Sequence, residues 1–231
     1  MDMYAVIVAG GRGTRMGSQT PKQFLPLKGR TVLWHTLRAF VEAYPAIRLV
    51  LVLPAGLESR GREVLADFPA SEARITTGGE TRFHSVRQGL QLVPDNALVF
   101  VHDAVRCLVT ADLIRRCGDM AASRGNAVPA IAPVDTVRIQ TDGRNQPADR
   151  NRVRLVQTPQ AFAAGPLRAA FVQPYQERFT DEATVLEATG APIYLVEGER
   201  SNIKITTPID LLVAEKILEE REAGFGTQQA P

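Results

Sequence analysis

Sulfur, histidine and long apolar runs are all scarce in this 231-residue chain. Its two cysteines, Cys107 and Cys117, cannot build a four-ligand zinc site or a disulfide framework, which points to a reducing compartment. No apolar run approaches the roughly 18 residues of a membrane span. Met1–Ala9 carries Asp2 and no basic leader, so the start does not read as a signal peptide. Excess charge of one sign is also missing. The 27 Lys and Arg against 25 Asp and Glu leave +2, too even to point to nucleic acid. His35, His84 and His102 are the only histidines, which leaves little material for a metal cluster or a Ser-His-Asp triad. The expectation is a soluble cytoplasmic protein with neither a membrane nor a nucleic-acid partner.

Hydrophobic residues make up 45% and charged residues 23%, ordinary usage for a folded globule. At about 150 residues per domain, one domain spanning 1–231 is expected. Strand-length apolar runs at Tyr4–Ala9, Arg48–Leu53, Arg74–Thr77, Leu98–His102 and Ala127–Ala132 alternate with helical patterns. Those patterns cover Thr31–Tyr44, Leu57–Phe68, Arg82–Leu92 and Ala111–Arg124. Such alternation predicts an α/β fold with a parallel sheet covered on both faces. Further helices are predicted near Pro166–Tyr175 and Asp181–Thr189, with a strand at Ile193–Glu197 and a closing helix at Pro208–Glu222. Residues 224–231 read as a frayed tail. Between Val134 and Gln157 there is no helical stripe. Alternating Val137 and Ile139, then Val153 and Leu155, flank Asp142-Gly143, a hairpin signal. A hairpin this polar has little apolar face of its own and would project towards a partner; an ordinary surface loop has the same composition.

The first strand runs into Gly10-Gly11-Arg12-Gly13-Thr14-Arg15-Met16-Gly17. Glycines there let the backbone approach a phosphate and present its N–H groups. A Walker A loop would need Gly-Lys-Ser/Thr, which is absent. A dinucleotide fingerprint fails because Gly11, Gly13 and Gly17 are spaced one residue late and no acidic residue closes the second strand. Arg12, Arg15 and Lys22 among these amides suit a triphosphate, although a tight strand-to-helix turn with solvated basic residues would look the same. Asp103 ends the fourth strand, where ligands of open α/β sheets gather, and its carboxylate suits Mg²⁺. The chemistry of a triphosphate site needs no thiolate, so Cys107 does not read as a nucleophile.

Six motifs then follow in order: Gly78-Gly79-Glu80-Thr81-Arg82, His102-Asp103-Ala104-Val105-Arg106, Asp149-Arg150, Gln157-Thr158-Pro159-Gln160, Thr180-Asp181-Glu182-Ala183 and Asn202-Ile203-Lys204-Ile205-Thr206. Together with the glycine loop and Pro21-Lys22-Gln23-Phe24, the chain resembles the sugar-phosphate nucleotidyltransferases from Ala5 to about Leu218. Within them it is most similar to the methylerythritol phosphate cytidylyltransferases of the non-mevalonate isoprenoid pathway.

The resemblance implies a Rossmann-like, three-layer, mainly parallel sheet of the nucleotide-diphospho-sugar transferase type, with a projecting hairpin arm at about 134–157. It implies CTP and 2-C-methyl-D-erythritol 4-phosphate as substrates, and Mg²⁺ or another divalent cation as cofactor. Arg15 and Lys22 would stabilise the transition state around the triphosphate, which Ala9, Gly10, Gly11, Gly13 and Thr14 would cradle. Gly79, Glu80 and Ser85 would face the cytosine and ribose, with Ala104 also at the nucleotide. Asp103 would lie at the metal and the sugar phosphate. Arg106 would grip that phosphate, and Arg150 and Lys204 would position it with Thr136 and Thr158. Arg150 falls on the arm, so the resemblance also implies a homodimer whose sites borrow arm residues from the neighbour.

No general base is needed. A phosphate monoester has a second pKa of about 6 and is mostly ionised near neutrality. The chain departs from the family at Glu80, where Asp is frequent, and at Val105 and Cys107, where Ala and Pro are usual. The departures at Val105 and Cys107 keep ribitol-5-phosphate cytidylyltransferase as the alternative. A regulatory module without catalysis is disfavoured, because Arg15 and Lys22 are both present. The chain stops soon after the closing helix, so a fused cyclodiphosphate synthase domain is not expected.

Overall fold

The computed structural model describes residues 1–10, 20–69 and 71–224. Gly11, Gly13, Thr14 and Arg15 of the glycine loop therefore lie outside the described residues, as do 225–231 of the expected tail.

The chain begins with β1 (Met3–Val8), a 3-10 turn at Lys22–Phe24, and a small hairpin of β2 (Pro26–Leu27) and β3 (Arg30–Thr31). It continues through α1 (Val32–Ala43), β4 (Arg48–Leu53), α2 (Glu58–Leu65), β5 (Ala73–Thr77), α3 (Arg82–Leu90), β6 (Leu98–Asp103), α4 (Ala111–Arg124) and β7 (Asn126–Ile131). Then come β8 (Arg138–Thr141), β9 (Arg144–Pro147), a 3-10 turn at Arg150–Arg152, β10 (Leu155–Val156) and β11 (Gln160–Ala163). The last elements are α5 (Ala164–Ala170), α6 (Glu182–Glu187), β12 (Leu195–Glu197) and α7 (Pro208–Glu222).

The central sheet has the order β5-β4-β1-β6-β11-β7, with β10 and β12 also paired to β7. Strand alternation sends Ala5, Ile7, Leu49, Leu51 and Phe100 to one face, against apolar residues of α1, α2 and α4. Tyr4, Val6, Val50, Val52 and Val101 face the opposite way, onto α3, α5 and α6. Each face of the sheet is therefore dry, which is why these strands are apolar at nearly every position. Helix starts are fixed locally. Thr31, Thr81 and Thr110 each accept a backbone N–H in the first turn of the following helix. Gly125 closes α4 with φ 90°, a conformation that favours glycine. The three-layer α/β architecture expected from the sequence is present.

The sheet is mainly parallel, as expected, but β11, which carries no strand signal in its sequence, runs antiparallel between β6 and β7. Gln160-Ala161-Phe162-Ala163 has no β-branched residue to signal a strand, and burial between two neighbours overrides that composition. The helix expected near Pro166–Tyr175 starts earlier and stops at Ala170. In the arm, Asp142 (φ 49°) and Gly143 (φ 77°) do form the tight turn, but the paired limbs are only Arg138–Thr141 and Arg144–Pro147. Val153 is not in the hairpin, and Leu155 belongs to β10, paired with Ile131 of the main sheet. Every residue of β8 and β9 is exposed. No helix among the described residues is long and apolar enough to cross a membrane.

Candidate active site

The carboxyl ends of β1, β4, β5 and β6 open onto a cleft of about 780 Å³. Ala9 and Gly10 follow β1 along its floor, and Gly78–Arg82 follow β5 along one wall. Lys22 and Lys204 come from opposite ends of the chain to the other side. Glycine is required in that wall. A β-carbon on Gly78 would lie 2.8 Å from Ser85 Oγ, and one on Gly79 would lie 2.4 Å from His84 Cβ. Ser85 is buried one turn into α3, where its hydroxyl accepts from Gly79 N–H and donates to the Thr81 carbonyl. It thereby holds the glycine turn against the helix.

Asp103, at the end of β6, is the electrostatic centre. Arg82 Nε donates to Oδ1 at 3.1 Å and Lys204 Nζ contacts Oδ2 at 2.8 Å. Arg106 Nε lies 3.8 Å from Oδ2, buried and without a hydrogen-bond partner among the described residues. Burial pushes the Asp103 carboxyl up, but Arg82, Lys204 and Arg106 together outweigh it and hold it well below the usual carboxylate range. It is ionised at any working pH. Arg82 turns its other two nitrogens to Glu182, at 2.5 and 3.1 Å.

Behind Asp103 a chain of hydrogen bonds links the supporting groups to one another. Asp103 N–H donates to Thr158 Oγ1, and that hydroxyl bonds His102 Nδ1 at 3.1 Å. His102 Nε2 lies 3.2 Å from the Arg106 carbonyl. A carbonyl can only accept, so Nε2 carries the proton and Nδ1 accepts from Thr158. Asn202 Nδ2 donates to the Thr158 carbonyl at 2.9 Å, and Arg106 Nη1 donates to the Asn202 carbonyl at 2.9 Å. Thr158 and Asn202 thus set the backbone that presents Asp103 and Arg106.

Burial holds His102 neutral, with its pKa pushed down to about 3, and lowers that of His35 as well. The unfolded imidazole titrates near 6.5, so below that pH the unfolded chain binds more protons than the native one. Stability present above pH 6.5 is therefore lost on acidification. Comparing thermal melts from pH 7 down to about 4, His102→Gln should decline less steeply than the unsubstituted chain, by up to about 1.4 kcal/mol per pH unit. Parallel curves would refute the assignment.

Of the residues expected at the site, Ala9, Gly10, Lys22, Gly79, Glu80, Ser85, Asp103 and Lys204 line the cleft together. Arg106 and Thr158 stand behind it, joined through Asp103. Ala104 is fully buried and does not line the cleft; its N–H donates to the Val8 carbonyl and its carbonyl accepts from Thr36. Thr136 and Arg150 are exposed and are not among the described residues that line this cleft, and Arg150 donates to the Val134 carbonyl at 3.1 Å. Arg150 sits in the 3-10 turn beyond the second limb rather than on the limb itself. Cys107 is buried, with its thiol pushed up to about 12 by desolvation, so it is no nucleophile. His35 and His84 bond the Leu27 carbonyl and the Thr81 hydroxyl. Sequence reasoning assigned no role to Arg82 or Glu182. The signal available was an arginine opening the helix three residues after the glycine pair.

The model of the 2-C-methyl-D-erythritol 4-phosphate cytidylyltransferase family matches residues 3–220. The chain belongs to that family. A family member of this name from Bacteroides thetaiotaomicron is 45% identical over 219 residues, covering 94% of this chain and all of that protein. One from Porphyromonas gingivalis is 47% identical, covering 93% of this chain and 97% of its own. Among solved structures, 4-diphosphocytidyl-2C-methyl-D-erythritol synthase from Anaerococcus prevotii superposes with a TM-score of 0.82 at 27% identity, over 94% of this chain and 98% of that one. The Thermus thermophilus 2-C-methyl-D-erythritol 4-phosphate cytidylyltransferase gives 0.75 at 32% identity, over 93% and 98%. The family model and these relatives carry the methylerythritol name, which decides against the ribitol-5-phosphate alternative.

Proposed function

We propose that the cleft transfers the cytidylyl group of CTP to 2-C-methyl-D-erythritol 4-phosphate, giving 4-diphosphocytidyl-2-C-methyl-D-erythritol and pyrophosphate. The observation that carries the mechanism is an ionised carboxylate, Asp103, held at the cleft between Arg82 and Lys204, with Lys22 in the same lining. A phosphate oxygen of the acceptor forms the new bond to the α-phosphorus while the bond from that phosphorus to the bridging oxygen of pyrophosphate breaks. The attacking oxygen is already ionised, so no proton must be removed first. The protein's work is alignment and offset of growing negative charge.

Lys22 and the Arg15 of the glycine loop take the second task. The Gly78–Gly79 wall, with Glu80 and Ser85, receives the nucleoside. Arg106 stands behind Asp103, its Nε 3.8 Å from Oδ2, and its positive charge favours an acceptor phosphate at that end of the cleft. Lys204, ion-paired to Asp103, carries its charge to the same place.

Among the described residues no group of three His, Cys, Asp or Glu could hold a metal alone. The donor set does fit a cation that arrives with the triphosphate, because Mg²⁺ is satisfied by one or two carboxylates plus phosphate oxygens and water. Asp103 would supply the carboxylate oxygen. Bound there, the ion offsets phosphate charge. Arg150 and Thr136, exposed and absent from the described lining of their own chain's cleft, support a homodimer in which the arm serves the neighbouring site. Two free, buried cysteines support a reducing, cytoplasmic setting.

The test supplies CTP, UTP, ATP or GTP with methylerythritol phosphate or ribitol 5-phosphate and follows pyrophosphate. CTP with methylerythritol phosphate should turn over fastest, and excess chelator should abolish the signal. Faster turnover of ribitol 5-phosphate, or full activity in chelator, would overturn the reading or its metal requirement respectively.

A further inference from the structure

We infer that Glu182 is a positioning residue for Asp103, acting through the guanidinium of Arg82. Glu182 opens α6 with its side chain only 1% exposed, although no described cleft contact uses it. Its two oxygens take Arg82 Nη1 at 2.5 Å and Nη2 at 3.1 Å. The remaining nitrogen of the fork, Nε, reaches Asp103 Oδ1 at 3.1 Å. Arg82 lines the cleft, yet its bidentate edge is turned onto Glu182 and cannot grip a phosphate there. Only the Nε side faces the site, and it fixes one Asp103 oxygen while Lys204 takes the other.

Glu182 is itself held from two directions. Gln160, fully buried on β11, donates to Asp181 Oδ2 at 2.8 Å and accepts from Ala183 N–H at 2.9 Å. The residues on either side of Glu182 are thus pinned to the sheet. Asp181 also caps α6 by a reciprocal bond pair with Thr184. A buried ion pair is weak evidence for stability, since apolar replacements are often as stable. What this pair adds is direction: a fixed fork, aimed at the central carboxylate from a fixed base.

This inference rests on the cytidylyl-transfer reading of the cleft, and the experiment separates the two. Glu182→Gln keeps the shape but turns an amide toward Arg82. With CTP and methylerythritol phosphate, kcat/KM for the acceptor should fall about ten-fold or more. The ¹³Cγ resonance of Asp103 should move in the substrate-free protein, whatever the substrate proves to be. Arg82→Lys, which can reach only one of the two carboxylates, should give the same pattern and serves if Glu182→Gln does not fold. A lowered melting temperature with unchanged kinetics and an unmoved Asp103 resonance would overturn the inference. Failure of the unsubstituted chain to use methylerythritol phosphate would refute the cleft reading alone, leaving the resonance to decide the role of Glu182.

Discussion

Lys22→Ala should lower kcat by roughly 100-fold or more while changing KM for either substrate far less. The side chain is 9% exposed and reaches the cleft from a 3-10 turn that places Lys22, Gln23 and Phe24 together. Phe24 is core, and Gln23 Nε2 donates to the Ala9 carbonyl at 2.9 Å, so the turn is tied to the end of β1. Lys22 Nζ donates to the Ile205 carbonyl at 3.3 Å, next to Lys204. Its ammonium is thus held in place before any substrate arrives. A preorganised charge of this kind acts most strongly where negative charge grows, which is why the loss should fall on kcat. Steady-state kinetics on a variant with an unchanged circular dichroism spectrum measures it, and near-normal kcat would remove Lys22 from the reaction.

Mixing two inactive proteins should restore activity if the arm completes the neighbouring site. Arg150→Ala and Lys22→Ala would each leave a homodimer with both sites damaged. In the mixed dimer one site carries both lesions and the other carries neither. At equal input and full exchange about half the dimers are mixed, each with one intact site of two, so recovery should approach roughly a quarter of the unsubstituted activity. Within one chain Arg150 is exposed, bonded to the Val134 carbonyl and outside the described cleft lining, which is compatible with this exchange. If Arg150 acts in its own chain, every site in the mixture keeps a lesion and nothing returns. Verified exchange without recovery refutes the shared site.

What could be read in the sequence was what local chemistry determines. Gly78 and Gly79 announce a turn because side chains cannot fit there, and Asp103 announces itself by ending an apolar strand. The two faces of the sheet follow from alternation along β1, β4 and β6, each long enough to show it. β11 escaped because four residues of Gln, Ala and Phe have no strand signature, and only the gap between β6 and β7 makes them one. Val153 and Leu155 suggested the wrong partner for the arm, since alternation marks a strand without saying what it pairs with. The Arg82–Glu182 pair joins residues 100 apart, a separation over which no periodicity carries information.

The arm leaves β7 after Ile131 and returns at Leu155 directly opposite that same residue. In topological terms it is a parenthesis, opened and closed at one rung of one ladder. Everything between the two feet enters the sheet's free energy only through the closure of a loop, and doubling a flexible loop costs about 0.6 kcal/mol. The sheet therefore exerts almost no constraint on the arm's length or sequence. Contacts outside the sheet, above all those its residues would make at a neighbouring site, are what the arm answers to.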